Sequence, residues 1–203
     1  MHFDLKQLIE TFGYAGLFAI VFAESGLFFG FFLPGDSLLV TAGLLATQNY
    51  FNIIYLLPLL ALAAILGDST GYWMGKKFGK RIFSKEKSFF FSKNHIKTAQ
   101  EFYEKNGVKT IILARFLPYV RTFAPIVAGI GEMEYSKFLT FNIAGGLTWT
   151  TIMLLIGYFL GRLIPNVDHY LIPLILVIIM LSFVPSAYEH RKKIIRELRK
   201  PFK

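Results

Sequence analysis

Four ionisable side chains lie inside long apolar stretches of this sequence, and their types suit the handling of an anion and of protons. Glu24 and Asp36 lie in one apolar region, and Arg115 and Arg121 lie in a second. An arginine stays charged and presents a planar fork of N–H donors that fits a phosphate or carboxylate group. A carboxyl group in a low-dielectric cavity binds a proton more readily than in water. The four residues therefore predict a site in which the arginines hold an anion and the carboxyl groups exchange protons.

The energetic cost of these charges favours one shared location. A charged side chain facing lipid costs at least about 2.5–3.5 kcal/mol on insertion scales. Two acids and two bases in one small protein are most simply explained by a common internal cavity. A structural ion pair between the two apolar regions and a position at the membrane interface are the alternatives.

The composition predicts an integral membrane protein. The chain has 203 residues, of which 54% are hydrophobic and 17% are charged, whereas a soluble domain averages about 45–50% apolar residues and about a quarter charged residues. It contains no cysteine, which excludes a disulfide framework, a thiolate nucleophile and a cysteine-based zinc site. The four histidines are scattered without ligand spacing, so no metal or other cofactor is expected. One membrane domain over 1–203 is predicted.

The positive charge is concentrated in two blocks, 76–109 and 189–203, which together hold 17 of the 22 lysines and arginines. Each block directly follows an apolar stretch. Such clusters beside spans mark the cytoplasmic side of a membrane and can lean on anionic lipid head groups. Neither block shows a recognised nucleic-acid-binding fold, so no nucleic-acid partner is predicted.

Three stretches are long and apolar enough to cross the membrane as single helices: 53–75, 138–161 and 170–188. Two other apolar regions, 12–47 and 110–131, are interrupted by charges and prolines. If both basic blocks are cytoplasmic, the second region must enter and leave on the same side. We therefore expect both regions to be re-entrant hairpins. The residues expected to break their helices are Pro34, Gly35, Pro118 and Pro125.

An internal repeat supports this arrangement. Phe32-Leu33-Pro34 recurs 84 residues later as Phe116-Leu117-Pro118, and a Gly-Tyr-aromatic-x-Gly-cation pattern beginning at Gly71 recurs 86 residues later at Gly157. The predicted fold is an all-α membrane protein of two inverted-topology repeats. Each repeat has a re-entrant, proline-broken helical hairpin and a transmembrane helix, and an extra C-terminal transmembrane helix follows. Inverted repeats with broken helices are typical of secondary transporters.

The same reasoning predicts an orientation. The segment 76–109 and the tail 189–203 are expected in the cytoplasm, and the loop 162–169 and the N-terminus outside. Within the first basic block, 94–106 has the spacing of an amphipathic helix at the cytoplasmic surface.

The two arginines can converge on one anion only if the chain is broken between them. They are six residues apart, and six residues of continuous helix rotate side chains about 240° from each other. Pro118 lies midway and is expected to supply the break. A convergent clamp of this kind predicts that lysine cannot replace either Arg115 or Arg121, because lysine keeps the charge but loses the fork.

Other polar residues in the apolar stretches are less informative. Asp68 fits equally well as an acid of the cavity or as an interfacial cap of its helix. The uncharged polar residues of the 138–161 span could help to line such a cavity, but such residues are also ordinary in helix packing, and no role is assigned to them; they are Asn142, Thr148, Thr150 and Thr151.

With these motifs assembled, the sequence resembles the DedA family of membrane proteins, which is also described by its SNARE-associated or VTT domain. The resemblance runs from about Phe12 to Tyr188. It rests on four segments: Glu24-Ser25, Phe32-Leu33-Pro34-Gly35-Asp36, Gly67-Asp68 with Gly71-Tyr72, and Ala114-Arg115-Phe116-Leu117-Pro118-Tyr119-Val120-Arg121-Thr122-Phe123-Ala124-Pro125 with Gly129.

The resemblance implies two re-entrant hairpins that face each other, a place in the bacterial inner membrane and a role in envelope homeostasis. Some members are implicated in returning undecaprenyl phosphate across the membrane, and eukaryotic relatives in scrambling phospholipids. By position, Glu24 and Asp36 look like the essential membrane acids of the family, and Arg115 and Arg121 like its essential arginines.

The predicted function is therefore a flippase for a lipid phosphate, without enzymatic activity. Arg115 and Arg121 bind the substrate, Glu24 and Asp36 couple its movement to protons, and membrane lipids surround the protein. The alternatives are a proton-dependent antiporter of small ions or drugs, a membrane lipid phosphatase, and a scaffold without a substrate. The sequence leaves the lipid, the direction of transport and the oligomeric state open.

Overall fold

A computed structural model of the chain describes residues 5–27, 35–82, 115, 118–164, 177 and 180. The described residues form five α-helices and contain no β-strand. In chain order the helices are α1 (Leu5–Gly26), α2 (Gly35–Thr47), α3 (Ile53–Ile82), α4 (Pro118–Ile130) and α5 (Tyr135–Leu163). The prediction of an all-helical protein is confirmed for these residues.

Two of the helices, α3 and α5, are long and apolar enough to cross a membrane. They have 30 and 29 residues, which corresponds to about 45 Å of helix at 1.5 Å per residue. The segments Ile53–Phe78 and Tyr135–Leu163 meet the length and composition expected of spans, in agreement with the predicted spans 53–75 and 138–161. Helix α3 continues beyond the predicted end to Ile82, so the first basic block begins inside the helix.

Two other helices, α2 and α4, are short. Each has 13 residues and is therefore about 20 Å long, less than the thickness of the hydrocarbon layer. Helix α4 begins at Pro118, and proline is accepted in the first turn of a helix. The predicted break between the two halves of this region stays a prediction. Helix α2 begins at Gly35, directly after Pro34, which lies outside the described residues.

Pro125 does not break the second region, contrary to the sequence prediction. It lies inside α4, eight residues into the helix. Its missing N–H leaves the carbonyl of Arg121 without the usual donor four residues later. Proline at this position removes one hydrogen bond but does not end the helix.

Both short helices end in the same way. Asn49 and Glu132 have positive φ angles of 59° and 54°, and the following N–H groups reach back five residues, from Tyr50 to Leu45 at 3.2 Å and from Met133 to Ala128 at 3.0 Å. These are the bonds of a Schellman cap. The pattern of a short helix, this cap and a long helix thus occurs twice in the described chain. The inverted and re-entrant character of the two units stays a prediction.

The two units are α2 with α3 and α4 with α5. Each short helix packs against the long helix of the other unit, so α2 contacts α5 and α4 contacts α3. Glycines allow the backbones to meet. A methyl group at Gly43 would overlap the carbonyl oxygen of Leu154 in α5, and one at Gly129 would overlap that of Tyr72 in α3. The two units are therefore packed crosswise against each other. This packing holds the first turns of α2 and α4, which carry Asp36 and Arg121, in place.

Apolar side chains from α1, α2, α3 and α5 form the main core. Its fully buried members include Val21, Leu39, Leu56, Leu60, Trp149 and Leu154. A smaller cluster surrounds Tyr72, whose ring lies 4.7 Å from that of Phe138 and whose hydroxyl donates to the carbonyl of Met133. This second cluster fixes the turn between α4 and α5 onto α3.

Several predicted segments fall partly or wholly outside the described residues. The amphipathic helix 94–106 and the tail 189–203 lie outside them entirely. Of the predicted span 170–188 only Val177 and Met180 are described, and both are exposed. Helix α1 begins at Leu5, seven residues before the start of the predicted hairpin 12–47. The re-entrant path of that hairpin and the C-terminal span stay predictions.

Candidate functional site

Arg121 joins three helices at a buried point. It lies in the first turn of α4, and its Nη1 donates to Asp36 Oδ1, in the first turn of α2, at 2.7 Å. Its Nη2 donates to the carboxylate of Glu24 near the end of α1. The side chains of Arg121 and Glu24 are at most 5% exposed, whereas that of Asp36 is 36% exposed. One guanidinium therefore bridges two carboxylates from different helices.

Trp149 adds a fourth helix, α5, to this group. Its indole N–H donates to Asp36 Oδ1 at 2.8 Å, and its ring lies 4.7 Å from the guanidinium carbon of Arg121. The residue is fully buried, so the cation–π contact is made away from water, where it is strongest. Trp149 is not among the residues that the sequence singles out. The available signal was a tryptophan in the middle of a predicted span rather than near its ends, where tryptophan is usual.

Gly35 is required here for space. A Cβ atom at this position would overlap the carboxylate of Glu24. The sequence analysis assigned Gly35 to a tight turn and a helix break, and the residue does begin α2. The close approach of Glu24 gives a second reason for glycine.

Arg115 has a separate set of partners. It lies just before α4, and its Nη2 donates to the carboxylate of Asp68 in α3 and to the amide oxygen of Asn142 in α5. All three residues are at most 2% exposed. Asp68 is therefore an acid of the buried cluster. It is not an interfacial cap of its helix, which was the other position that the sequence allowed.

Asn142 is itself held in place by α3. Its Nδ2 donates to the carbonyl of Ile65 at 3.0 Å and approaches the hydroxyl of Ser69 at 3.4 Å. These contacts turn the amide oxygen toward Arg115. The sequence allowed Asn142 to line a cavity or to pack helices, and it did not indicate a contact with Arg115. A lone asparagine within an apolar span was the signal, and it did not distinguish between packing and a contact with a charge.

Two threonines of α5 make hydrogen bonds within their own helix. Thr148 and Thr150 donate to the carbonyls of Ala144 and Gly146, both at 2.7 Å, within their own helix. Such back-bonding satisfies a hydroxyl in an apolar span without a partner from another element.

The two groups together carry more negative than positive charge. Two arginines and three carboxylates give a net charge of −1 when all five are ionised. The groups also influence each other, because the charges of Asp68 and Arg115 act on Glu24. Removing one partner of a buried ion pair typically costs about 3–5 kcal/mol of stability. Loss of any one of the buried charges of the cluster is therefore expected to destabilise the protein.

Several polar atoms of the cluster are buried without a hydrogen-bond partner among the described residues. They are Nε and Nη1 of Arg115, Nε of Arg121, Oε2 of Glu24 and Oδ1 of Asp68. An unmatched buried polar atom costs about 1–3 kcal/mol. The cluster therefore has the capacity to bind a further polar group, and Arg115 has the largest share of free donors.

Three of the four charges singled out in the sequence are thus buried, and Asp36 is partly exposed beside them. The two arginines pair with different carboxylates. Arg121 pairs with Glu24 and Asp36, and Arg115 with Asp68. Arg115 lies before the start of α4 at Pro118, and Arg121 lies inside this helix. The same ion pairs are expected for a structural role and for a binding site, so the functional roles of the four residues stay predictions.

Comparison with known proteins decides the family. Residues 33–159 match the VTT domain, and this range contains Asp36, Asp68, Arg115, Arg121 and Asn142 of the cluster. The chain is also 45% identical to Protein DedA of Escherichia coli strain K12 over 196 residues. This match covers 93% of this chain and 89% of that protein. The chain belongs to the DedA family.

Other DedA relatives are named as membrane proteins. An uncharacterized membrane protein of Mycobacterium leprae is 46% identical over 167 residues, covering 82% of this chain and 74% of that protein. The inner membrane protein YqjA of Escherichia coli strain K12 is 34% identical over 149 residues, covering 73% of this chain and 68% of that protein. Together with the two long apolar helices, these relatives identify a membrane protein of the DedA family. No solved structure matches the chain.

Proposed function

We propose that this protein moves a lipid phosphate across the membrane, with the phosphate in the arginine–carboxylate cluster and the hydrocarbon chain left in the bilayer. The substrate is a polyprenyl phosphate, such as undecaprenyl phosphate, or a phospholipid. The observation that carries the proposal is the fully buried guanidinium of Arg115, whose Nε and Nη1 have no partner among the described residues. A planar guanidinium with free donors suits a phosphate oxygen.

A lipid substrate fits the position of the cluster better than a soluble anion does. The cluster lies between apolar helices whose outer faces carry exposed leucine, isoleucine and aromatic side chains. A soluble phosphate has to lose all its water to enter such a place. The head group of a lipid phosphate loses the same water, but its chain stays in the hydrocarbon and keeps the phosphate at the membrane beside the cluster.

Proton coupling follows from the charge of the site. A cluster with a net charge of −1 repels an additional anion unless a carboxylate takes up a proton. Glu24, Asp36 and Asp68 are the groups that can do so. We propose that such proton uptake accompanies binding, that no covalent bond of the substrate is broken, and that the protein acts in the inner membrane in support of envelope homeostasis.

The surplus carboxylate also fits a second function. A site with three carboxylates and two arginines can exchange a small cation for protons, as an antiporter does. Such a protein needs no contact with a phosphate, and its transport does not depend on lipid.

The test is exchange of a fluorescent polyprenyl phosphate between the leaflets of proteoliposomes, with release of inorganic phosphate and internal pH recorded together. We expect exchange without phosphate release, and loss of exchange in Arg115→Gln. Thr148→Val is the matched control, because Thr148 is exposed and bonds only within its own helix. Phosphate release indicates a phosphatase, and cation-dependent pH changes without lipid exchange indicate an antiporter. Either result overturns the proposal.

A further inference from the structure

The two arginines differ in how completely their charge is already compensated. Arg121 faces two carboxylates and the ring of Trp149, and its Nε is its one atom without a partner among the described residues. Arg115 faces one carboxylate, and both Asp68 and Asn142 contact the same atom, Nη2. Its Nε and Nη1 remain free within the described part of the chain.

This difference determines where an anion can bind. The group around Arg121 has a net charge of −1 when its two carboxylates are ionised, so it repels a phosphate. The group of Arg115 and Asp68 is neutral, and its donors Nε and Nη1 have no partner among the residues that the structure describes. An anion can therefore approach Arg115 at a lower electrostatic cost, and it competes there with a single carboxylate.

Asp68 and Asn142 hold Arg115 in different ways. Asn142 is neutral, and α3 orients its amide through the carbonyl of Ile65 and the hydroxyl of Ser69. It can keep its contact with Nη2 whatever the charge nearby. Asp68 contributes a charge, and its Oδ1 has no partner among the described residues. Of the two, Asp68 is the one whose bond to Arg115 an anion can replace.

We propose that Asp68 is the exchangeable counter-ion of Arg115. Phosphate displaces the carboxylate of Asp68 from the guanidinium, Asp68 takes up a proton from solution, and Asn142 keeps Arg115 in position throughout. Asp68 and Asn142 are thus positioning residues that act through Arg115, while Arg121 with Glu24 and Asp36 forms the fixed framework. This inference rests on the proposed transport of a lipid phosphate.

The proton balance follows from burial. A carboxylate that loses its cation in a buried site is strongly destabilised, and protonation removes its charge. Besides Arg115, the charges of Glu24 from α1 and Arg121 from α4 act on Asp68. Glu24 adds a negative charge and Arg121 is shared by two other carboxylates. Neither replaces Arg115 as the partner of Asp68.

The test is binding of farnesyl phosphate to the purified full chain in lipid nanodiscs. Titration calorimetry in buffers of different ionisation enthalpy gives both the affinity and the number of protons taken up. We expect wild type to take up about one proton per farnesyl phosphate bound, because the pairing of Asp68 is linked to binding. Asp68→Asn should abolish this uptake and bind about tenfold tighter or more, because the competing carboxylate is gone. Asp68→Glu should restore the uptake.

Asn142→Asp keeps the inference testable if Asp68→Asn does not fold. It places a second carboxylate at Nη2 of Arg115, so we expect about tenfold weaker binding or more. The unfolding temperature should also fall, because the amide donor to the carbonyl of Ile65 is lost. A merely structural role for either residue changes the unfolding temperature but not the number of protons per bound phosphate.

The outcomes separate the inference from the proposed function. If wild type binds no farnesyl phosphate although it is folded, the lipid-phosphate function fails and the inference fails with it. If wild type binds and Asp68→Asn takes up the same number of protons, the inference is overturned and the proposed function stands. Tighter binding without proton uptake in Asp68→Asn supports both.

Discussion

The indole N–H of Trp149 donates to Asp36 at 2.8 Å while the ring of the same tryptophan lies against Arg121. Trp149 therefore contacts both members of an ion pair whose residues come from two other helices. It fixes the orientation of the carboxylate and covers the guanidinium on one face. The position of Arg121 consequently depends on a residue that carries no charge.

Replacing Trp149 by phenylalanine separates these two contacts, because the ring is retained and the N–H donor is lost. We expect Trp149→Phe to lower the free energy of unfolding by about 1 kcal/mol, since a carboxylate oxygen loses one of its donors. Thermal unfolding in detergent measures this change. The matched control is Trp73→Phe at the other tryptophan, which is 51% exposed. Equal effects of the two substitutions would contradict a specific role of the indole N–H.

The glycines of α3 provide a second comparison within one helix. A methyl group at Gly75 overlaps the carbonyl oxygen of Ile126 in α4, whereas one at Gly71 meets side-chain atoms of Pro125 and Ile126 at 3.5 Å. Gly75→Ala is therefore expected to destabilise the protein by about 1–3 kcal/mol, as overpacking does. Gly71→Ala should be neutral or slightly stabilising, because alanine favours helix. Expression level and unfolding temperature check both, and a destabilised Gly71→Ala with a normal Gly75→Ala would contradict the packing of α4 on α3.

Lysine substitutions distinguish the roles of the two arginines. Arg115→Lys keeps the charge near Asp68 but removes the fork that offers donors to a phosphate. We expect lipid exchange in proteoliposomes to fall about tenfold or more, with little change in unfolding temperature. In Arg121→Lys a single ammonium replaces two nitrogen atoms that reach Asp36 and Glu24 separately. The main effect there should be a lower unfolding temperature.

The sequence alone predicted that neither arginine tolerates lysine, because both were expected to clamp one anion. Lipid exchange in proteoliposomes with equal amounts of each variant decides between a clamp by both arginines and phosphate binding by Arg115 alone. Normal exchange in Arg115→Lys would exclude Arg115 as the phosphate-binding residue. A complete loss of exchange in Arg121→Lys at unchanged stability would favour the two-arginine clamp.

The orientation of the long helices can be tested with single cysteines, since the natural chain has none. Phe78 near the end of α3 and Leu163 at the end of α5 are both exposed, so their replacement by cysteine should not disturb the core. We expect a membrane-impermeant thiol reagent to label Leu163→Cys in intact cells and Phe78→Cys only after the membrane is opened. Unmodified protein is the background control. Labelling of both positions from the same side would contradict the predicted topology.

Much of this protein is determined locally, and the sequence therefore predicts it. The spans at 53–75 and 138–161 follow from the length of their apolar runs, and the start of α4 follows from Pro118. The unusual charges Glu24, Asp36, Arg115 and Arg121 stand out because their surroundings along the chain are apolar. These features depend on neighbours within one helix, and a membrane tolerates few alternatives to them.

The pairing of the charges is decided by tertiary structure. Arg121 meets Glu24 and Asp36 across 97 and 85 residues, and Arg115 meets Asp68 across 47. Coulomb attraction does not distinguish one carboxylate from another, so the choice of partner depends on where α1, α2 and α3 pack around α4. The same packing gives Trp149 and Asn142 their roles. Their residue types allow many positions in an apolar helix, and only the contacts between helices bring them to the arginines.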